Sequence, residues 1–369
     1  MKGERPYRLI ISGGGTGGHI FPAIAIASVF KERYPDSEIL FVGANGKMEM
    51  TRVPEAGYKI IGLTISGIQR KLTLSNLLFP FRLLFGYLKA RHIIRQFQPD
   101  VVVGTGGYAS GPIMMAAQAL RVPTLIQEQN SYAGLANRKL AARAGKICVA
   151  YEEMEKYFKG KPVVVTGNPV RRDLLNLKDS KAAAMEHFIF NGKEPTLLIV
   201  GGSLGARTIN ESILQGLDKL IDAHVQVLWQ TGKIYYDKIM SAIAGKDLRS
   251  IRVYDFIHRM DWAYAAGDVV ISRAGALAIS ELCIAGKPAI FVPSPNVAED
   301  HQSKNANTLV KAEAAIMIED KKAMKQLVDE ALKLLYDKDR AAKLSTNIKK
   351  LRKPDAAKAI VDEIEKLMV

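Results

Sequence analysis

Three glycine-rich segments in this 369-residue chain each follow a short run of β-branched and apolar residues. They lie at residues 12–19 (SGGGTGGH), 104–112 (GTGGYASGP) and 201–207 (GGSLGAR). Glycine lets backbone N–H groups approach a phosphate, and a helix that begins after such a loop adds unpaired N–H groups and the positive end of its dipole. One such loop could equally be a tight turn. Three favour phosphate recognition, because ligands of open α/β sheets bind at the carboxyl ends of strands.

The first loop lacks the acidic residue that a dinucleotide site needs. Gly13, Gly15 and Gly18 satisfy the GxGxxG spacing, but such a site requires a carboxylate at the end of the second strand to hold a ribose. The second predicted strand, residues 39–42, runs into Gly-Ala-Asn-Gly instead. NAD or FAD binding is therefore disfavoured. The chain also lacks the GxxxxGK[ST] pattern of a Walker loop, which argues against a kinase or an ATPase.

Two polar positions lie where a general base or a sugar-binding group could stand. His19 follows the first loop at the start of a predicted helix, and its ordinary pKa suits taking a proton from a bound hydroxyl. A capping or phosphate-contacting role would suit it equally. Glu128 and Asn130 follow the predicted strand at residues 124–126. They would either line a crevice or belong to an ordinary polar loop.

Three further polar residues follow strands in the second half of the chain. Glu281 lies in a predicted helix beyond the strand at residues 269–272, where a carboxylate can accept both ribose hydroxyls while the helix start faces a diphosphate. A solvated surface glutamate is the alternative. Gln302 and Asn305 follow another strand, and amides suit sugar hydroxyls because they both donate and accept hydrogen bonds. Alone, these amides indicate little.

Metal binding and disulfide chemistry have little support in the sequence. Asp337 and Asp339 form a DxD pattern in a charged helical stretch, which we interpret as solvated surface. Cys148 and Cys283 are far apart, have no CxxC spacing and lie in apolar surroundings, so we expect buried, reduced thiols. The sequence therefore predicts neither a metal nor a cofactor.

An excess of basic residues and one apolar stretch favour an anionic partner. The formal net charge of +15 suits nucleic acid, an anionic membrane face or a phosphorylated substrate, and no nucleic-acid motif accompanies it. Residues 72–88 read LTLSNLLFPFRLLFGYL and are flanked by Arg70, Lys71 and Lys89. This stretch is too interrupted to span a bilayer but suits the membrane interface. A core helix is the alternative, and we expect residues 83–94 to be partly buried.

The elements that must position these residues alternate along the chain. Apolar strands separated by helical spacing indicate parallel sheets, and the pattern begins at residue 8 and again at residue 196. We therefore predict an α/β protein of two doubly wound domains, with a hinge at residues 166–170, where Gly and Pro interrupt regular structure. The predicted strands are residues 8–12, 39–42, 101–103, 124–126, 163–165, 196–200, 225–229, 251–254, 269–272 and 289–292; the predicted helices include residues 21–33, 110–120, 206–221, 277–285 and 354–368.

Taken together, these segments resemble the undecaprenyldiphospho-muramoylpentapeptide β-N-acetylglucosaminyltransferase family over nearly the whole chain. The ordered set of motifs is much more specific than any single glycine loop. The motifs that carry the resemblance lie at residues 14–22, 104–112, 128–130, 167–171, 201–207 with Asn210, 273–281 and 301–305.

The resemblance implies a GT-B fold, in which two Rossmann-like domains face a cleft. Residues 1–168 plus 354–369 would form the acceptor- and membrane-binding domain, and residues 169–353 the UDP-GlcNAc-binding domain. The implied reaction is metal-independent, inverting transfer of GlcNAc from UDP-GlcNAc to the C4 hydroxyl of undecaprenyl-diphospho-MurNAc-pentapeptide. It would take place at an anionic membrane surface, on the cytoplasmic face and without nucleic acid, with cell-wall synthesis and division proteins as candidate partners.

The resemblance also assigns roles to individual residues. His19 would act as the general base, Glu281 would bind the ribose and Gln302 the sugar, while Ile257 would contact uracil through its backbone. The remaining donor-site residues would be Thr16, Gly17, Gly18, Asn130, Arg171, Ser203, Ala276, Leu277, Ala278, Ile279 and Ser280. The acceptor diphosphate would be held by Gly14, Gly15, Gly104, Gly106, Gly107, Tyr108 and Ser110, with Glu128, Asn210 and Asn305 elsewhere in the cleft.

Two places depart from the family pattern. Relatives often carry threonine where this chain has Ala278, so a hydroxyl contact to the diphosphate is missing there. A polar or acidic pair is common where this chain has His258 and Arg259. Other function classes stay open at this point: a lipid glycosyltransferase with another acceptor such as diacylglycerol, a nucleotide-sugar-binding protein that transfers nothing, and a Rossmann oxidoreductase.

Overall fold

The computed structural model describes residues 5–65, 79–152, 154–171, 173–175, 181–202, 204–297 and 300–368. The chain divides into two compact units. Unit 1 comprises Met1–Val170 and Pro354–Val369, and unit 2 comprises Arg171–Lys353. The boundary predicted from the sequence lies between residues 168 and 169. The binding role of each domain stays a prediction.

Seven parallel strands make up the sheet among the described residues of unit 1. Their order, β3-β2-β1-β4-β5-β6-β7, places β1 beside both β2 and β4. This is the order of a doubly wound, Rossmann-like sheet and confirms the predicted fold class. The strands are β1 (Arg8–Gly13), β2 (Glu38–Ala44), β3 (Lys59–Leu63), β4 (Val101–Gly106), β5 (Thr124–Glu128), β6 (Lys146–Val149) and β7 (Val164–Val165).

Helices cover both faces of the unit 1 sheet, which is why its central strands are apolar throughout. In β4, Val101 and Val103 pack in the core beneath α1 and the C-terminal helix, whereas Val102 faces α3 and α4. The described α-helices of the unit are α1 (Gly17–Arg33), α2 (Glu49–Glu55), α3 (Phe79–Phe97), α4 (Ser110–Ala119), α5 (Leu135–Leu140) and the C-terminal helix (Ala356–Met368).

Unit 2 repeats this architecture around a second parallel sheet. Its strand order is β10-β9-β8-β11-β12-β13 among the described residues. Adjacent residues of β8 again serve opposite cores: Leu198 lies in one apolar cluster, and Leu197 and Ile199 lie in the other. The strands are β8 (Thr196–Val200), β9 (Gln226–Gln230), β10 (Ile251–Tyr254), β11 (Val269–Ser272), β12 (Ala289–Phe291) and β13 (Ile316–Met317).

The helices of unit 2 differ from the sequence prediction at one place. Residues 206–221 were predicted as one helix, but Gly216, a residue that disfavours helix interiors, separates two shorter ones. The described helices are α6 (Lys181–His187), α7 (Arg207–Gln215), α8 (Leu217–Asp222), α9 (Lys233–Ala242), α10 (Met260–Ala266), α11 (Ala276–Ala285), α12 (His301–Lys311), α13 (Asp320–Tyr336) and α14 (Lys338–Lys350).

The C-terminal helix completes the core of unit 1 although it lies at the far end of the chain. Ile360, Val361 and Ile364 are fully buried in the cluster that contains α1. At the edge of this contact, Arg33 donates hydrogen bonds to Asp362 at 2.6 Å and to Glu365 at 2.8 Å. Exposed ion pairs contribute little, so burial of the apolar side chains holds the helix in place.

Truncation of one buried side chain tests this dependence. We expect Ile364→Ala to lower the free energy of unfolding of unit 1 by about 2–5 kcal/mol, because it removes buried methyl groups and leaves a cavity. Native-state hydrogen exchange should show faster exchange of the β1 and β4 amides with β8 unchanged. Lys358→Ala, at an exposed position on the same helix, is the control. Equal acceleration in both variants would contradict the argument.

Candidate active site

His19 lies in the first turn of α1, held by two acceptors from other elements. Its Nδ1 is 2.9 Å from the backbone oxygen of Thr105 and 2.8 Å from Oε1 of Gln129. A carbonyl oxygen only accepts, so Nδ1 carries a hydrogen, and in the neutral imidazole Nε2 then has the lone pair. This tautomer is the one that a general base needs.

A buried network of amides holds the partners of His19 in place. Gln129 donates from Nε2 to the backbone oxygen of Thr105 at 2.6 Å and also contacts Gln127. Gln127 donates to Oδ1 of Asn168 at 3.0 Å, and Asn168 returns a hydrogen bond to the backbone oxygen of Gln129 at 3.0 Å. These three side chains are almost fully buried. The orientation of the imidazole is therefore set by groups with no alternative partners in water.

The two glycine loops of unit 1 pack directly against each other. Gly106 and Gly107 have φ angles of +100° and +87°. A Cβ at Gly106 would lie 2.7 Å from Nδ1 of His19, and one at Gly107 would lie 2.2 Å from the backbone oxygen of Gly14. Glycine is required at both positions because any side chain would push β4 away from α1.

The structure changes the prediction for Gly14 and Gly15. The N–H of Gly14 donates to Gly106 at 3.2 Å, and that of Gly15 donates to Oε2 of Glu49 at 2.8 Å. Glu49 is fully buried on α2, and its Oε1 accepts from Ala44 at 2.9 Å. These two glycine N–H groups are occupied within unit 1, so they do not serve as diphosphate donors in this structure.

The next N–H groups along the first loop are differently placed. Gly17 and Gly18 are the first two residues of α1, where no intrahelical acceptor exists. No described residue accepts a hydrogen bond from either N–H group. Together with the dipole of a 17-residue helix, these groups form an anion-binding position. Thr16, the N-cap, has extended backbone and leaves them accessible.

Residues of the second loop fall into a buried and an exposed group. Gly104 and Gly106 lie inside β4 and are buried, whereas Gly107 is partly exposed and the Tyr108 side chain is 53% exposed. Ser110 begins α4 and is buried, and its Oγ has no hydrogen-bond partner among the described residues. Among the loop residues predicted to bind the acceptor diphosphate, Gly107 and Tyr108 are therefore the ones that can contact a ligand without rearrangement.

Glu128 has a structural role in this conformation. Its Oε1 accepts from the backbone N–H of Asn130 at 3.1 Å, and its Oε2 accepts from Gly134 at 3.1 Å and Asn137 at 2.8 Å. These bonds shape the loop between β5 and α5. The carboxylate is buried, and both of its oxygens already accept hydrogen bonds from the protein. Its contribution to a ligand site is therefore indirect: it positions Asn130.

Glu281 of unit 2 lies in the second turn of α11 and is almost fully buried. Its Oε2 accepts a hydrogen bond from the Tyr264 hydroxyl at 3.0 Å, and its Oε1 is 3.4 Å from Nε of Arg171. Burial raises the pKa of the Glu281 carboxyl, while Arg171 and Tyr264 act in the opposite direction. Arg171, predicted among the donor-site residues, belongs to unit 2 and pairs with Glu281.

The start of α11 is open. A Cβ added at the N-cap, Gly275, would meet nothing within 4 Å. The first-turn N–H groups of Ala276, Leu277 and Ala278 have no intrahelical acceptors, so this end of the helix suits an anion. Ile279 and Ser280 were predicted in the same segment, but Ile279 packs in the core and Ser280 donates to Ala276 at 3.0 Å.

Ile257 and Gln302, also predicted in the donor site, each have one polar group hydrogen-bonded within the protein. The N–H of Ile257 donates to Oε1 of Gln230 at 2.8 Å, so its carbonyl oxygen, which accepts from no described residue, is the part left for a base. The Oε1 of Gln302 accepts from Ser294 at 2.8 Å, which leaves its amide N–H groups for a ligand. Ser203 lies outside the described residues.

Asn210 and Asn305 have structural positions rather than the cleft positions predicted for them. Asn210 is buried; it donates to the backbone oxygen of Thr231 at 2.9 Å and accepts from Nε1 of Trp229 at 3.0 Å. Asn305 is fully buried and donates to Ala274 at 3.4 Å. Asn210 thus holds the loop after β9, and Asn305 holds the loop after β11.

The aspartates of the DxD pattern and the two cysteines lie in ordinary structural environments. Asp337 is the N-cap of α14 and accepts from the N–H of Arg340 at 3.0 Å. No cluster of three or more His, Cys, Asp or Glu side chains suited to a metal occurs in the described part of the chain. Cys148 and Cys283 are buried, and burial raises the pKa of each thiol to about 12.

Sequence reasoning missed Glu49 and Tyr264 and gave Gln129 no role of its own. Glu49 follows β2 by five residues, just beyond the segment searched for a ribose-binding carboxylate. It binds the backbone of the first glycine loop instead. Neither Glu49 nor Tyr264 stands in a motif, and contacts over such sequence separations leave no local pattern that could have revealed them.

Comparison with known proteins places this geometry in a family. Residues 9–149 match the glycosyltransferase family 28 N-terminal domain, and residues 196–360 match the glycosyltransferase family 28 C-terminal domain. A protein of Parabacteroides distasonis is 56% identical, covering 99% of both chains, and one of Cytophaga hutchinsonii is 55% identical, covering 99% of this chain and 98% of its own. Both are named UDP-N-acetylglucosamine–N-acetylmuramyl-(pentapeptide) pyrophosphoryl-undecaprenol N-acetylglucosamine transferase.

A solved structure gives the same result. The crystal structure of Acinetobacter baumannii MurG superposes with a TM-score of 0.77 at 28% identity, covering 98% of this chain and 99% of that one. The likeness therefore extends over both Rossmann-like units. The chain belongs to glycosyltransferase family 28.

Proposed function

We propose that this chain transfers GlcNAc from UDP-GlcNAc to the C4 hydroxyl of undecaprenyl-diphospho-MurNAc-pentapeptide, the step that yields the disaccharide lipid of peptidoglycan synthesis. Relatives at 55% and 56% identity are named for this transfer. Within the structure, the strongest support is the tautomer of His19, whose Nδ1–H is held by Thr105 and whose Nε2 can accept a proton.

Unit 2 would hold the donor. Glu281 would accept hydrogen bonds from the ribose hydroxyls, because Tyr264 and Arg171 each contact one oxygen of its carboxylate and a carboxylate has room for more. The open N-terminus of α11 would receive the diphosphate. The carbonyl oxygen of Ile257 would face the base, and the amide of Gln302 would face the sugar.

Unit 1 would hold the acceptor. The N–H groups of Gly17 and Gly18 and the exposed end of the second loop at Tyr108 are the positions left for its diphosphate. We assign Gly17 and Gly18 to the acceptor instead of the donor, for which the resemblance suggested them. They take the place of Gly14 and Gly15, whose N–H groups are occupied.

The reaction would be a single displacement. The muramoyl C4 oxygen attacks the anomeric carbon of the α-linked donor, its proton passes to Nε2 of His19, and the bond from that carbon to the diphosphate oxygen breaks. UDP leaves with the electron pair and the product is β-linked. Helix N-terminal N–H groups and the guanidinium of Arg171 would stabilise the developing negative charge.

One face of α3 would contact the membrane. Phe81, Leu84, Phe85 and Leu88 are each more than half exposed, and their spacing puts them on one helix face. The opposite face is buried in the core of unit 1, so the exposed face is not needed for folding. Residues 72–78 of the predicted apolar stretch lie outside the described residues.

Charge near this face supports an interfacial position. The helix carries Arg82, Lys89, Arg91 and Arg95 and no acidic residue, which favours anionic headgroups. Among the described helices, none combines the length and apolar character that crossing a bilayer takes. We therefore propose peripheral attachment through α3, at the cytoplasmic face where the lipid acceptor presents its sugar.

The proton-acceptor role is tested by His19→Gln. We expect kcat for transfer of labelled GlcNAc to a synthetic muramoyl-pentapeptide diphospholipid to fall by about 10²–10⁴, because the general base is lost, while UDP-GlcNAc binding is retained. His224→Gln, the same change at an exposed position of unit 2, should leave kcat unaltered. Near-normal turnover of the His19 variant would refute the role.

The ribose contact is tested by a cycle of protein and ligand changes. Wild-type protein should bind UDP more tightly than 2′,3′-dideoxy-UDP by about 10-fold or more, since hydrogen bonds to a charged group contribute about 1.5–3 kcal/mol. In Glu281→Gln this difference should shrink. Calorimetry measures both affinities, and Glu186→Gln, on the exposed side of α6, is the matched control. An undiminished difference in the variant would place the ribose elsewhere.

Membrane attachment is tested by Phe81→Ser combined with Phe85→Ser. Each exposed Phe that enters the interface contributes about 1.5–3 kcal/mol at most, so binding to phosphatidylglycerol vesicles should weaken at least 10-fold. Turnover of a short-chain, water-soluble acceptor should not change. Ile234→Ser, which removes a side chain 71% exposed in unit 2, is the control; equal weakening there would point away from α3.

A further inference from the structure

A cavity in unit 2 lies at the end of the sheet opposite the loops of the proposed donor site. It has a volume of about 720 Å³ and is bordered by Pro195, Asp268 and Pro288, which directly precede β8, β11 and β12. The proposed donor site lies beyond the carboxyl ends of these strands, so the cavity is a separate place in the fold. Its volume is in the range of small-molecule sites.

The cavity is lined by basic side chains. The acidic residues on its wall are Asp268 and Glu194. Both have partners: Asp268 accepts from Lys181 at 2.9 Å and from the N–H of Thr196 at 2.9 Å, and Glu194 accepts from Asn191 at 3.1 Å. The lysines on the wall are Lys181, Lys193, Lys287, Lys338 and Lys349. Positive charge therefore exceeds negative charge along the cavity wall.

Lys287 is the most unusual of these lysines. It follows the C-cap of α11, and among the described residues its ammonium makes one hydrogen bond, to Ala265 at 3.3 Å. Burial lowers its pKa to about 8; Asp268 raises the pKa, whereas Lys181 and Lys349 lower it. An ammonium has three N–H donors, so a largely buried Lys287 has hydrogen-bonding capacity that the described protein does not fill.

The wall around Lys287 is held by packing. The stem of Lys349 lies against Gly286, where an added Cβ would be 2.1 Å from its Cε. Ser345 donates to the backbone oxygen of Gly286 at 2.7 Å. These contacts keep Lys349, on α14, beside the end of α11. Like charges are thus held together against their repulsion, an arrangement that a dianion would stabilise.

We propose that this lysine-lined cavity binds a phosphate-bearing small molecule, with its phosphate between Lys287 and Lys349. The phosphate oxygens would accept hydrogen bonds from both ammonium groups. The volume of the cavity leaves room for a small organic group attached to the phosphate. This site is additional to the donor and acceptor sites of the proposed reaction. It does not require that reaction to be the correct one.

Calorimetric titration with pyrophosphate tests the proposal, with UDP present at saturation to occupy the proposed donor site. Wild-type protein should bind one equivalent, and Lys287→Met and Lys349→Met should each weaken binding at least 10-fold. Lys238→Met, which removes an exposed charge from α9 of the same unit, should bind like wild type. Two cavity variants are used so that one of them carries the test if the other does not fold.

Absence of pyrophosphate binding, or equal weakening in Lys238→Met, would overturn the proposal. A parallel arm compares vesicles with and without phosphatidylglycerol. Lysine-dependent vesicle binding without pyrophosphate binding would assign the phosphate to a lipid headgroup and overturn the small-molecule assignment.

A chemical probe provides an independent readout. Pyridoxal 5′-phosphate carries a phosphate and an aldehyde; an unprotonated lysine adds to the aldehyde, water leaves, and borohydride reduces the imine to a stable secondary amine. We expect peptide mapping at pH 8 to find Lys287 labelled ahead of the exposed lysines, with pyrophosphate protecting it. Labelling spread over the surface lysines, unaffected by pyrophosphate, would count against the site.

Discussion

The close packing of two glycine loops in unit 1 is the constraint on which the proposed chemistry depends. His19 can donate to the backbone of Thr105 only if α1 and β4 approach to hydrogen-bond distance. That approach is possible because Gly106 and Gly107 have no side chains and adopt positive φ angles. The hydrogen bond decides which imidazole nitrogen carries the proton. Backbone sterics at β4 therefore determine the tautomer of a side chain on α1.

Much of the fold could be predicted because buried parallel strands are apolar throughout. The central strands β1, β4 and β8 are fully or almost fully buried and were found from their β-branched runs. Three strands were missed, and each gives a weak signal. β3 is only partly buried, and β13 has two residues, neither of them buried. β6 lies inside the sheet and is mostly buried, but its four residues are too few to show a periodic pattern.

The candidate site could be predicted at the level of loops but not of individual atoms. The motifs correctly marked strand-to-helix turns, yet they contain both ligand-facing and structural groups. The N–H of Gly15 donates a hydrogen bond to Glu49, 34 residues away in sequence. The side chain of Asn210 is hydrogen-bonded to Trp229 and Thr231. A shared motif reports that a residue matters without saying whether its partner is a ligand or the protein. Only the hydrogen bonds in the structure distinguish a ligand-facing residue from a structural one.

Helix α11 links the proposed donor site and the lysine-lined cavity through one physical argument. Glu281, in its second turn, is a buried carboxylate that contacts Arg171 and Tyr264, and Lys287, just past its end, is a largely buried ammonium that donates one described hydrogen bond. A buried charge with unfilled hydrogen-bonding capacity lowers stability, and apolar residues of similar volume would often serve folding as well or better. Folding alone therefore does not explain either charge. A ligand with hydroxyl donors would supply further hydrogen bonds to Glu281, and a ligand with phosphate oxygens would accept them from Lys287.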